Sequence, residues 1–133
     1  MSRFCDLEII EVPDEQAPDN LSGAQELQVK QRESERILKK VKDGTLLAVL
    51  DIKGERLDSQ GFAAKLQSFF TSGNSHITFV IGGSLGLSDE LLRKAGFRLS
   101  LSDLTFPHQL VRVILLEQLF RAFKILNGET YHK

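Results

Sequence analysis

An α/β sandwich around a mostly parallel sheet is the fold class this sequence predicts, on three observations. Short apolar runs alternate with segments whose apolar positions recur at helical spacing. Two of those runs, "TLLAVLDI" (Thr45 to Ile52) and "HITFVIGG" (His76 to Gly83), are apolar without alternation, as strands covered on both faces are. Glycine, proline or a potential capping serine punctuates most of the junctions.

Taken in order, "LEIIEV" (Leu7 to Val12) is a short strand stopped before Pro13, and a polar connection with two prolines follows. From Ala24 to Val41 the apolar residues Leu27, Ile37, Leu38 and Val41 are expected on one face of a charged helix, closed by Asp43 and Gly44. Thr45 to Ile52 is a buried strand ended by Gly54. Ser59 is expected to cap a helix running through Ser72, with Phe62, Leu66, Phe69 and Phe70 as its core stripe and Gly73 as its stop. After the strand at His76, Ser88 caps a helix towards Gly96, and "FRLSLS" is a fourth strand. Pro107 opens a helix from about His108 to Leu126, because proline is favoured at the first helical position, and Gly128 ends it. That helix has apolar residues on more than one face, so a single sheet cannot hide them all. A two-fold homodimer through it is expected.

The 133 residues make one domain. Formal net charge is −1, which argues against a protein that holds nucleic acid by overall basicity. The distribution is uneven: Met1 to Leu92 carry ten Lys or Arg against fifteen Asp or Glu, and Arg93 to Lys133 carry seven against three. A polyanion is therefore expected to meet the C-terminal third. Cys5 is the only cysteine, and His76, His108 and His132 lie far apart, so neither a disulfide framework nor a metal site is expected. No apolar run has the length of a membrane span and the start lacks the apolar core of a signal peptide, which makes the cytoplasm the expected location.

Gly82, Gly83 and Gly86 invite comparison with phosphate loops, but Gly86 is followed by Leu87 and Ser88 rather than Lys and Ser/Thr, and the spacing does not fit a dinucleotide fingerprint. What the pattern does predict is convergence. Loops after Ile52, Ile81 and Ser100 should meet outside the carboxyl ends of the strands, where open α/β sheets bind ligands. Asp51 stands at that edge either as a ligand contact or as a solvated strand end. His108, at a helix start where the macrodipole disfavours its charged form, suits an acceptor or base and equally suits an N-terminal side chain in water. Arg112 and Arg121 punctuate an apolar helix and need anionic partners, either interface carboxylates or RNA phosphate. The tail offers a stacking ring in Tyr131 and phosphate or base contacts in His132 and Lys133.

"EIIEVPDE…AP", "LDIKG", "FVIGGSLGL", "LSLSDLTFPHQLVRVILLEQLFRAFKI" and the closing "YHK" together resemble the RlmH family, the ribosomal RNA large subunit methyltransferases H of the SPOUT superfamily. The likeness runs over essentially the whole chain from Leu7. It implies a SPOUT-type α/β sandwich with a C-terminal trefoil knot, a homodimer, and S-adenosyl-L-methionine bound by Leu50, Gly82, Leu101, Ser102, Asp103, Leu104, Thr105 and Phe106. It further implies methylation of N3 of a pseudouridine in helix 69 of 23S rRNA within the 70S ribosome. His108 or His132 is then the candidate base, and Arg112, Arg121, Tyr131, His132 and Lys133 are candidate RNA contacts. Gly82 and Gly83 would let backbone approach an uncharged adenosine, with no phosphate involved. Family members carry an apolar strand and helix ahead of "SRF", about two dozen residues by mean element lengths, so a shortened start that leaves a sheet edge open is expected. Two rival readings remain. A nucleotide-binding module would show no selectivity for S-adenosylmethionine over ATP, and a non-catalytic remnant would dimerise without binding the cofactor.

Overall fold

In the computed structural model residues 6–11, 23–82, 87–102, 104 and 106–128 are described. Strand and helix alternate throughout: β1 (Asp6–Glu11), α1 (Gly23–Lys40), β2 (Leu46–Arg56), α2 (Ser59–Thr71), β3 (His76–Ile81), α3 (Asp89–Lys94), β4 (Phe97–Ser100) and α4 (His108–Leu126). The four strands form one sheet in the order β1-β3-β2-β4, every pair parallel.

Both faces of this sheet are covered, which explains the unbroken apolar runs. Ala48, Ile77, Phe79, Ile81, Phe97 and Leu99 point to one face, where Phe62, Ala63 and Leu66 of α2 and Leu115, Leu119 and Ala122 of α4 cover them. The alternate residues Leu47, Val49 and Val80, with Ile10 of β1, point to the other face, against Ile37 of α1 and Leu91 of α3. Side chains alternate along a strand, so both layers draw on the same short segments. Phe70 stacks on Phe123 with ring centroids 6.1 Å apart, joining α2 to α4. Thr45 and Thr78 share a hydroxyl hydrogen bond of 2.9 Å, which satisfies a side chain only 1% exposed.

Several boundaries depart from the sequence-based expectation. The cap of α2 is Asp58, not Ser59: its carboxylate accepts from the Gly61 amide at 2.6 Å. The carboxylate one residue upstream takes the capping position, and the Ser59 hydroxyl donates instead to Gln118 Oε1 at 2.8 Å. Ser88 does cap α3, accepting from the Leu91 amide. Pro107 is the N-cap of α4 rather than its first helical residue. Leu27 is 57% exposed and does not join Ile37 on the buried face of α1; Glu33 and Ser34 are buried there instead. Ser34 donates to the Ser88 hydroxyl at 2.5 Å. Gly73 and Gly128 follow α2 and α4 with φ of 95° and 77°, the left-handed geometry expected of helix stops.

The largest departure is in β2. The strand does not end at Gly54 but continues to Arg56, because Leu99 of β4 is matched first with Leu50 and again with Glu55. The intervening Asp51, Ile52, Lys53 and Gly54 form a bulge, stabilised by a hydrogen bond from the Lys53 amide to Asp51 Oδ1. Gly54 lies so close to β4 that a Cβ would come within 2.8 Å of the Arg98 carbonyl carbon and oxygen. A residue read as a terminator is thus a close-approach glycine.

Candidate active site

Parallel register brings the strand ends together. β2 leaves β3 after the pair Val49 and Val80, so Leu50 and Ile81 are the next residues, and Leu50 is also paired with Leu99. Neighbouring strands are about 4.8 Å apart, so Gly82, Leu50 and the Ser100–Leu101 turn end within roughly 10 Å of one another. Leu50 and Leu101 are half-buried against the core cluster that contains Ile81 and Leu99, and Val111 of α4 packs against the same cluster. The carboxyl edge of β3, β2 and β4 therefore faces the first turns of α4.

The turn leaving β4 is held by its own polar groups. Ser100 donates its hydroxyl to the Ser102 carbonyl at 3.1 Å, and the Leu104 amide donates to the Ser102 hydroxyl at 3.0 Å. Leu104 is consequently held outward, 69% exposed, the most exposed of the large apolar residues described. Phe106 follows, half-buried, just ahead of α4. Asp103, Thr105, Tyr131, His132 and Lys133 lie outside the described residues, as do Gly83 and Gly86 of the glycine-rich turn. His108 is the first residue of α4.

Of the two arginines, Arg112 lies near the edge: its guanidinium is 3.8 Å from Glu11 Oε2, at the end of β1, and its side chain is 58% exposed. Arg121 lies thirteen residues beyond His108, about 20 Å along α4 at 1.5 Å per residue. Its Nε and Nη2 donate to Glu117 Oε1 at 3.0 and 2.5 Å within the same helix. The structure thus brings Leu50, Gly82, Leu101, Ser102, Leu104, Phe106 and Arg112 to one end of the sheet and leaves Arg121 at the other end of α4. Sequence reasoning missed the Ser100–Ser102–Leu104 turn, although serines two residues from a backbone amide are a signal for such turns.

The character of this edge can be judged by its atoms. Leu50, Gly82, Leu101, Ser102, Leu104 and Phe106 carry no charge, and Arg112 at the same end is already paired with Glu11; a mostly apolar lining of this kind suits a neutral heterocycle better than a phosphate. Residues 1–132 match the family described as "Predicted SPOUT methyltransferase". The chain is 65% identical over 133 residues to the ribosomal RNA large subunit methyltransferase H of Acetivibrio thermocellus.

The chain belongs to the RlmH family of SPOUT methyltransferases. Proteins of the same name from Ruminiclostridium cellulolyticum and Alkaliphilus oremlandii are 61% and 53% identical. All three alignments cover the whole of this chain and 84% of the relative. Among the described residues, no helix is long and apolar enough to cross a membrane, and no group of three or more His, Cys, Asp or Glu is placed to hold a metal.

Proposed function

We propose that this chain uses S-adenosylmethionine to methylate N3 of a pseudouridine in helix 69 of the 23S rRNA of the assembled 70S ribosome, in the cytoplasm. The single observation that carries the reading is the convergence of Leu50, Gly82 and the Leu101–Ser102 turn at one sheet edge in a chain of this family. Leu50, Leu101 and Leu104 would cover the faces of the adenine, and backbone groups of Gly82 and of the segment Leu101, Ser102, Asp103, Leu104, Thr105 and Phe106 would read its edge. The trefoil knot belongs to this proposal, since it would be formed by the segment that carries those residues.

The donor supplies an electrophilic methyl group, and the chain's residues must place N3 in line with it and keep water out. N3 also has to lose a proton. His108, at the start of α4 beside the edge, or His132 in the tail is proposed to accept it, directly or through a water. Arg112, Tyr131, His132 and Lys133 would position the RNA, with Arg121 a weaker contributor because Glu117 already engages it.

A homodimer through α4 completes the proposal. Leu110, Val113, Leu116 and Phe120 are 44%, 61%, 39% and 52% exposed, and they recur at three- and four-residue steps opposite the buried Leu115, Leu119 and Ala122. An apolar stripe three turns long is what a partner helix covers. The deciding experiment is transfer of labelled methyl to ribosomes that lack the modification, followed by nucleoside analysis. Label in N3-methylpseudouridine is expected; binding of S-adenosylmethionine without transfer, or label at another base, would count against the assignment.

A further inference from the structure

We infer that the outer face of the α1/α3 layer, on the opposite side of the sheet from α4, is a docking surface for the phosphodiester backbone of ribosomal RNA, remote from the site of methyl transfer. The inference rests on the proposed ribosomal substrate and adds to it a second contact region.

Between Lys30 and Lys42 the chain carries six Lys or Arg against Glu33 and Glu35, a local charge of +4 in a molecule whose net charge is −1. Glu33 is buried, at 5% exposure, beneath this surface rather than on it. Arg32, Arg36, Lys39 and Lys40 are all exposed. At 100° per residue they fall within about 100° of one another around the helix, a single stripe. Lys42 extends it beyond the helix end. α3 packs on the same sheet face, since Ile37 and Leu91 share one apolar cluster, and its last turn adds the exposed Arg93 and Lys94. Lys94 is paired with Glu90 at 3.2 Å. Arg98 lies between Phe97 and Leu99, which face the α2/α4 layer, so its exposed side chain projects to the α1/α3 side.

Helix chemistry alone does not account for the stripe. Favourable interaction with the macrodipole explains Lys39 and Lys40, in the last turn of α1, but fades before Arg32 and Arg36. Glu35 stands three residues from Arg32 and four before Lys39 and offsets part of the stripe, but Arg32 with Arg36 and Arg36 with Lys40 are like charges four residues apart, an arrangement that disfavours a helix. A polyanion reverses the sign of that interaction, and counterions released from the RNA add to the gain. α1 ends shortly before β2 begins and α3 shortly before β4 begins, so the cations of their last turns lie towards the amino edge of the sheet, α1 alone being about 27 Å long. Contacts at that distance hold the ribosome without touching the reacting atoms. The α4 stripe faces the other way, so a dimer through α4 leaves this surface open.

The test uses the full chain carrying Arg32→Gln, Arg36→Gln, Lys39→Gln and Lys40→Gln together, with binding to 70S ribosomes measured across a potassium chloride series. Affinity is expected to fall at least tenfold near 0.1 M salt. The slope of log affinity against log salt should become shallower by about 3, at 0.7 to 0.9 per phosphate contact. Calorimetric affinity for S-adenosylmethionine and kcat at saturating ribosomes should stay at the unsubstituted values. Glu35→Gln should tighten ribosome binding about two- to threefold, and this arm keeps the test valid if the fourfold variant folds poorly. Unchanged affinity and slope in the fourfold variant, or no gain from Glu35→Gln, overturns the inference. It is also overturned if ribosome binding falls while binding to isolated 23S rRNA does not, because the partner is then a ribosomal protein. Binding is scored without methyl transfer, so an inactive chain would refute the proposed activity and leave this result readable.

Discussion

Replacing Gly54 with Ala tests how the β2 bulge sets the candidate site. The new Cβ would lie 2.8 Å from the Arg98 carbonyl carbon and oxygen and 3.0 Å from the Asp51 carbonyl oxygen. Comfortable separations are about 3.5 Å or more, so one backbone must yield by roughly 0.7 Å. Neither is free to do so: Arg98 is matched with Val49 in the sheet between the buried Phe97 and Leu99, and Asp51 opens the bulge directly after Leu50. Overpacking of this kind costs about 1 to 3 kcal/mol, partly offset by roughly 0.5 to 1 kcal/mol from stiffening the unfolded chain. A net loss of about 1 to 2 kcal/mol remains, about 4 to 8 °C in Tm for a chain of this size. Displacing Leu50 should also weaken S-adenosylmethionine about tenfold. Urea unfolding, thermal melts and calorimetry measure these effects, with Gly23→Ala as control because its Cβ meets nothing within 4 Å. If the two variants match in stability and cofactor affinity, the close approach at Gly54 does not govern the site.

Further outcomes follow from the same geometry. Phe120→Asp places a charge in the exposed α4 stripe and should yield monomers in sedimentation at micromolar concentration, with thermal stability of the isolated subunit little changed. Leu104→Ala should weaken S-adenosylmethionine about tenfold while altering unfolding free energy by less than about 0.5 kcal/mol, since so exposed a side chain contributes little to the core. Arg112→Gln breaks an exposed ion pair with Glu11 worth less than about 1 kcal/mol, so stability should hold while KM for ribosomes rises severalfold. Equal KM values would remove Arg112 from the RNA contacts.

The layered fold was legible because burial on both faces leaves its mark in composition: the runs at Thr45 and His76 are apolar at successive positions, and the structure divides them between two core clusters. The surplus apolar face of α4 was legible for the same reason, since Leu115 and Leu119 account for one side only. The extension of β2 to Arg56 was not. Gly54 looks like a terminator in one dimension and becomes a contact with Arg98 only when β4, some forty residues later, lies beside it. Likewise the Asp58 cap and the burial of Glu33 and Ser34 instead of Leu27 depend on what packs nearby, which local spacing does not encode. At the site, spacing pointed to the turns after Ile81 and Ser100 but read a loop after Ile52 where β2 bulges and runs on to Arg56, while the roles proposed for Leu50, Gly82 and the Leu101 to Phe106 segment came from family likeness.

The most direct measurement is calorimetric titration of the purified chain with S-adenosylmethionine and, separately, with ATP, repeated on Gly82→Val. Saturable heat with the sulfonium compound alone, abolished by the valine in a variant that still melts cooperatively, is the expected result. Comparable heats from both ligands, or undiminished binding by the valine variant, would contradict a methyl-donor site at this sheet edge.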